Sequence, residues 1–464
     1  MPVSYYDKIN RQYKNKQGGI IMKRENWTSR LGFILAASGS AIGLGNIWRF
    51  PFITGTNGGA IFILIYLAAI LFIGYPILVS EMSLGRITEK NPIGAFKKMA
   101  PDTAWPLVGA LGVLSGFVIL SYYSVVAGWG MSYIFKSLTF TAESNFPQIF
   151  GSHISSLTEP IIWHGVFMFL TIAVIGAGIV NGIQKIVKVL MPILFVIIFL
   201  LIIRSITLEG AGAGLSFYLK PDFSAITFQT FADAISQAFF TLSLGMGAMI
   251  TYGSYLSQKE SINESAAYVL IFDTAVALLA GFAIFPAVFA FGLDPASGPG
   301  LTFITLPAVF TQMPFGIFFS IIFFILLTIA ALTSSISMLE VVVAFLVDEY
   351  EWNRKKASYM MGFLIFLVGI PPLLGYSSFS DFSFLGMDVL DTYDWFSNSI
   401  FLPTGGILTS IFVGHIWGSK NAVKEANKNS RFHIGKIYSI LLKYVVPAAV
   451  LFIMLLNIYQ TILI

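Results

Sequence analysis

Asp273 lies inside the apolar run 266–292, Thr333 and Ser334 sit in the middle of another, and Asn46 and Arg49 interrupt the first. A carboxylate at bilayer depth costs on the order of 2.5–3.5 kcal/mol on insertion scales, so Asp273 should face a cation or a polar cavity. Pairing with a neighbouring Ser or Thr to hold two helices together would also satisfy it. Hydroxyls such as those of Thr333 and Ser334 commonly bond back to their own helix, so alone they say little. The stretch Gly39-Ser40-Ala41-Ile42-Gly43-Leu44-Gly45-Asn46 adds a different kind of signal. Its three glycines and serine weaken a helix where lipid cannot replace lost backbone hydrogen bonds. Such a break persists where protein or a bound solute satisfies the freed carbonyls and amides. Close helix packing would explain the glycines, but it needs neither the Asn46 amide nor the Arg49 guanidinium. Freed carbonyls, a carboxylate and hydroxyls are hard oxygen donors, suited to a small alkali cation rather than a transition metal.

The elements that must position these groups are helices in a membrane. Of 464 residues, 56% are hydrophobic and 11% charged, with a mean hydropathy of +0.81. A soluble protein carries roughly 25% charged residues. Apolar segments, each near the ~20 residues a bilayer requires, fall at 28–55, 58–85, 104–136, 162–181, 184–206, 229–256, 263–292, 314–349, 356–376, 392–416 and 437–462. These predict about eleven transmembrane helices, numbered below as spans 1 to 11. Lys and Arg concentrate in the tail, in 86–98, at Lys185 and Lys188, in 354–356 and in 420–436, while 136–161, 292–313 and 376–391 hold almost none. The alternation predicts a cytoplasmic N-terminus and, with an odd helix count, an outer C-terminus. The tail lacks the apolar core and cleavage site of a secretory signal. The stretches 136–161 and 207–228 have room for short helices outside the membrane. Trp105, Trp163, Trp395 and Trp417 fall near span ends, as interfacial anchors do.

A second interruption, Phe239-Phe240-Thr241-Leu242-Ser243-Leu244-Gly245-Met246-Gly247, falls within span 6. Two broken helices five spans apart point to two inverted five-helix repeats with a midplane site between them. The fold class expected is therefore an all-α polytopic membrane protein with spans 1 and 6 broken. A net charge of +4 gives no reason to expect nucleic acid, and zero cysteines exclude disulfides and thiolate metal sites. His153, His164, His415 and His433 lack metal-ligand spacing, and no phosphate loop, nucleophile elbow or HExxH motif occurs. Nothing supports an enzyme. Glu340 is deep enough to need a partner that the sequence does not name.

The run Asn26-Trp27-Thr28-Ser29-Arg30-Leu31-Gly32-Phe33 and the segment Gly43-Leu44-Gly45-Asn46-Ile47-Trp48-Arg49-Phe50-Pro51-Phe52 strongly resemble the neurotransmitter:sodium symporters. Asn57-Gly58-Gly59-Ala60-Ile61-Phe62, the span 6 interruption and Leu332-Thr333-Ser334-Ser335 resemble further motifs of that family. The similarity runs from about 23 to 416, and the helix count resembles the bacterial amino-acid branch with its leucine-transporter fold. On this resemblance, 1–26 is a basic tail, 27–416 the transporter core with spans 1–5 and 6–10 as repeats, 417–436 a basic cytoplasmic loop and 437–464 span 11.

The resemblance implies two sodium sites. The first would use Ala41, Asn46, Thr241, Asp273 and the substrate carboxylate, and the second Gly39, Ile42, Ala330, Thr333 and Ser334. The substrate carboxylate would meet the helix end near Leu44 and Gly45, where the dipole is positive, and the Tyr123 hydroxyl. Its ammonium would meet carbonyls of Ala41, Phe240 and Thr241. Ile119, Phe240, Ser243, Met246, Ser334 and Met338 would line the side-chain pocket. Arg49 and Asp394 would pair across an outer gate, and Arg24, Trp27 and Asp348 would close the inner side. Gly182 and Pro192 resemble the family's span 5 unwinding motif, or mark a plain helix start and a proline kink. Gln237 and Ser243 resemble remnants of the family's chloride site, whose charge Asp273 would replace.

The function implied is sodium-coupled, chloride-independent import of neutral, hydrophobic or aromatic L-amino acids by alternating access, in a plasma membrane, with a monomer as the functional unit. The alternatives are a symporter for another carboxylated solute and a membrane sensor that binds an amino acid without moving it.

Overall fold

The structure, a computed structural model, describes residues 25–295 and 300–463. Ser29 starts the first helix: its extended backbone turns the side chain to accept from the Gly32 amide at 3.1 Å, which caps one of the open N–H groups. The helix Arg30–Ala41 ends where Ile42 turns extended, and the axis bends by 51° into Gly45–Thr56. Span 6 breaks in a corresponding way. Thr227 and Thr230 form a reciprocal cap at the start of Phe228–Thr241, and a second helix runs over Ala248–Ser254. Between the halves Ser243, Gly245 and Gly247 all have positive φ. At Gly245 a side chain would strike the Leu402 carbonyl, so span 10 approaches too closely for any residue but glycine.

The remaining spans are Ala60–Thr88, Pro106–Thr139, Glu159–Gly176, Ile179–Ile206, Ile262–Ala290, Gly316–Tyr350, Arg354–Leu374, Val389–Ile416 and Lys436–Thr461. Among the described residues these nine are long and apolar enough to cross a membrane, and the bent pair of span 1 makes a tenth. The 14- and 7-residue halves of span 6 are each too short to cross alone. The eleven expected segments thus all correspond to helical elements, with shifted ends. The break between spans 4 and 5 falls at Gly178, φ +97°, rather than at 182–183. The short helices Phe146–Ser155, Ala211–Leu219 and Leu301–Thr311 lie in the connections.

Span 5 shows how the composition is used. Its Val189, Val196, Phe199, Leu200 and Ile203 are exposed, while Val187, Met191, Leu194 and Ile198 are buried. A protein in water does not leave such a stripe uncovered; lipid covers it here. Spans 3 and 8 pack along each other and, with the broken spans, enclose the polar interior, while span 7 packs on spans 1 and 5. Trp417, expected as an anchor facing the interface, is instead buried in the helix packing.

Candidate functional site

The two breaks meet at a cavity with roughly 290 Å³ of empty volume, lined by Ser40, Ala41, Gly43, Gly45, Ile119, Tyr123, Phe240, Thr241, Ser243, Met246, Ser334 and Met338. Every residue expected at the substrate is on that wall except Leu44, which is buried behind it and donates its amide to the Tyr123 hydroxyl at 3.0 Å. The phenol accepts that bond, so its own proton is left to donate. Ser40 and Gly43 also line the cavity, unforeseen although they flank Ala41. A side chain at Gly43 would collide with the Ser334 and Tyr123 hydroxyls, so the cavity owes its depth there to a missing Cβ.

Beside the cavity Asp273 is fully buried. Its Oδ1 accepts from the Asn46 amide at 2.7 Å and from the Thr241 hydroxyl at 2.8 Å, and its carbonyl accepts from Asn46 at 3.0 Å. Asn46 Oδ1 in turn accepts from the Gly43 amide at 2.9 Å, which stitches the broken helix back together. Asp273 Oδ2 has no hydrogen-bond partner among the described residues. A buried carboxylate oxygen without a donor is costly. A cation held by Asp273, Asn46 and Thr241 would satisfy it, so the residues fit the first sodium.

On the other side of span 1, Thr333 Oγ1 is 3.0 Å from the Ala330 carbonyl and 3.3 Å from that of Ile42. Ser334 Oγ is 3.1 Å from the Ile42 carbonyl and 3.5 Å from that of Gly39. The five oxygens expected at the second sodium therefore converge, neutral and buried. Ser334 also donates to the Ser40 carbonyl at 2.9 Å, so it serves both this cluster and the cavity. Ser243, expected beside Gln237 as a remnant of an anion site, instead donates to the Ser40 carbonyl at 3.0 Å. Gln237 donates to the Gly45 carbonyl at 2.7 Å.

Above the cavity is a wide vestibule whose walls include Arg49, Asp233, Asp391 and Asp394. The expected outer pair is not made in this conformation: among the described residues no ion pair joins Arg49 to Asp394. The Arg49 guanidinium bonds Gln237 and Ser236 at 3.2 Å each and lies 5.1 Å over the Phe240 ring, while Asp394 accepts from Asn398 at 2.7 Å. Arg49 of span 1 is already held by span 6, and Asp394 is held within span 10, so joining them needs spans 1 and 10 to approach. Below the cavity Trp27 is buried, donating its indole N–H to the Tyr252 carbonyl at 3.1 Å, and Asp348 accepts from the Asn91 amide at 2.8 Å. Arg24 lies outside the described residues. Gly182 lies in a π-helical turn at Ile179–Gln184, where a Cβ would strike the Val174 carbonyl, and Pro192 lies inside the following helix.

Comparison with known proteins fits this geometry. The family model described as the sodium:neurotransmitter symporter family matches residues 24–147 and 150–463. The chain belongs to the sodium:neurotransmitter symporter family. It is thus a multi-pass membrane transporter and not an enzyme. It is 43% identical, over 93% of its length and 97% of the relative's, to a protein of Bacillus subtilis named uncharacterized sodium-dependent transporter YhdH. It is 30% identical to the sodium- and chloride-dependent taurine transporter of the dog, covering 86% of this chain and 72% of that one. Among solved structures it is similar to MhsT in complex with L-phenylalanine, with a TM-score of 0.87, 44% identity, and coverage of 93% of this chain and 99% of that one.

In this symporter the buried Glu340 finds the partner its sequence left open. Arg354, at the start of span 9, donates two 2.7 Å bonds to the carboxylate, and the Tyr255 hydroxyl donates a third at 2.7 Å. Glu81 of span 2 is also fully buried; its Oε1 accepts from the Gly245 amide at 2.8 Å and so holds the span 6 break. Neither contact is local in sequence, which is why spacing did not reveal it. Removing one member of a buried pair strands the other charge and costs about 3–5 kcal/mol. Arg354→Ala will therefore lower the thermal unfolding midpoint in detergent well below that of the parent, and adding Glu340→Gln will recover part of the loss. Equal midpoints in parent and Arg354→Ala would mean that the pair contributes nothing.

Proposed function

We propose that this transporter imports neutral α-amino acids with large apolar side chains, coupled to two sodium ions, by alternating access across a plasma membrane. The observation that carries the reading is Asp273: a buried carboxylate with one unpartnered oxygen, next to a narrow, mostly apolar cavity with no acidic side chain on its wall. A substrate there must bring its own carboxylate. The Gly45 amide and the Tyr123 hydroxyl on the wall would receive it, while Leu44, behind the wall, would act only through its amide bond to Tyr123. Carbonyls of Ala41, Phe240 and Thr241 would receive the ammonium. Ile119, Phe240, Met246 and Met338 make the rest of the wall apolar, and two methionines let it adapt to different shapes. The solved relative's complex with L-phenylalanine supports this substrate class.

Two sodium ions entering with a zwitterion carry two net charges. At ~2.3 kcal/mol per charge per 100 mV the potential adds roughly 4.6 kcal/mol per cycle. That drives about a thousandfold accumulation of a neutral solute, since ~1.4 kcal/mol is a factor of ten. Opening on the outer side leads through the vestibule past Arg49 and Phe240; opening on the inner side requires Trp27 to leave span 6 and Asp348 to release its partners. The basic tail and the loops at 86–98, 354–356 and 420–436 support a cytoplasmic N-terminus.

Competition for sodium-driven uptake tests the substrate class. Leucine, methionine, phenylalanine, tyrosine and tryptophan will compete, and dopamine-like amines will not, because no acidic side chain lines the cavity to stand in for the carboxylate they lack. Preference for glutamate, or tight binding of such amines, would contradict the reading.

A further inference from the structure

The connection between spans 10 and 11 has two chemically different faces. Its short helix Ser419–Ala426 buries Ala422, Glu425 and Ala426 against the protein. Glu425 Oε1 accepts from Arg86 Nε at 2.8 Å, and Arg86, itself fully buried in span 2, also donates to the Glu260 carbonyl at 2.6 Å. Farther along, the Arg431 amide donates to Glu264 at 2.8 Å, and Glu264 holds Arg30 of span 1 at 2.6 Å. Asn263 of span 7 donates to Asn427 at 2.8 Å. The inner face is thus fastened to spans 1, 2 and 7 and to the connection between spans 6 and 7. Spans 1, 6 and 7 carry the residues at the two candidate cation sites.

The other face is basic and open. Lys420, Lys424, Lys428, Arg431 and Lys436 are all exposed, and Glu425, the acidic residue among them, is turned inward. Lys428 is drawn to Glu425 at 2.5 Å, which leaves the other four outward. Phe432 and Ile437 are exposed beside them, and span 11 begins at Lys436, so the face lies at the edge of the bilayer. Cations with interspersed apolar groups at a membrane edge complement anionic headgroups above acyl chains.

We propose that residues 417–436 form a docking surface for anionic phospholipid headgroups of the leaflet they border, and that lipid held there acts on transport through the Glu425–Arg86 and Glu264–Arg30 fastenings. The coupling rests on the transport reading above; the docking does not.

The chain has no cysteine, so a single reporter can be placed. At Gly435 an added Cβ meets nothing within 4 Å, and Gly435→Cys carries a fluorophore on this face. The full chain in lipid nanodiscs is titrated with nitroxide-headgroup phosphatidylglycerol or nitroxide-headgroup phosphatidylcholine. The anionic tracer will quench at a much lower fraction than the zwitterionic one, and high salt will remove the difference. Lys420→Gln, Lys424→Gln and Lys436→Gln together will cut the preference by up to about a hundredfold, since each cation contributes about a factor of five. The same three positions changed to Arg will keep it. Equal quenching by both tracers in the parent, or a preference that survives the three Gln changes, would overturn the proposal. Quenching needs no transported substrate, so failure of the transport reading would show separately, as absent uptake in every lipid.

Discussion

Thr333→Ala with Ser334→Ala abolishes sodium-driven uptake while leaving a folded, membrane-inserted protein. The two hydroxyls are the side-chain donors of the cluster that Gly39, Ile42 and Ala330 complete with carbonyls. Carbonyls fixed on two helices cannot move to replace two lost ligands, and an alkali ion short of two hard oxygens is not held against water. Folding survives because truncation to Ala removes the hydroxyl donor itself, and the Ser40 carbonyl keeps its bond from the Ser243 hydroxyl at 3.0 Å, so no donor is stranded. The expected uptake is at background, with sodium for half-maximal activity raised at least about tenfold in either single variant, one lost ligand being worth ~1.4 kcal/mol or more. A double variant with unchanged sodium dependence would remove this site from the mechanism.

Asp273→Asn should leave uptake weak or dependent on chloride if, as proposed, the parent needs none. The parent should keep its uptake when chloride is replaced by gluconate, because the carboxylate already supplies the negative charge beside the first sodium. It would also repel an anion placed nearby. In the variant Asn46 and Thr241 can still bond the remaining side-chain oxygen, so the geometry is kept and the charge alone is removed. Uptake without chloride should fall by about tenfold or more, and added chloride should restore part of it, as expected for an interaction worth a few kcal/mol. Loss of activity in the parent without chloride would refute the charge argument and leave Asp273 needing another role.

The sequence announced these sites because membranes make polar residues expensive. Gly39, Gly43 and Gly45 beside Asn46 could not be explained by packing alone, and the structure puts the bend there. The cavity wall was legible only through the resemblance to the family, which carried over Ile119, Tyr123 and Met338 from spans that the two breaks do not mark. What stayed hidden depends on pairings distant along the chain or on conformation. Tyr255 and Glu340 are 85 positions apart, and Glu81 and Gly245 are 164 apart. No local pattern encodes either contact. Arg49 and Asp394 both line the vestibule, but whether they touch depends on how closely spans 1 and 10 approach. Trp417 obeyed the rule for span ends and was still buried, because neighbouring helices rather than headgroups cover it.

The central claim is that binding in this cavity is coupled to movement across the membrane. Proteoliposomes containing the purified chain, loaded without sodium and given an inward sodium gradient with a negative interior, are offered labelled L-phenylalanine. Phenylalanine should accumulate well above the outside concentration, and this accumulation should collapse when the gradient is dissipated and be absent when potassium replaces sodium. Saturable binding of phenylalanine with no accumulation under the same gradient would contradict it and identify a sensor instead.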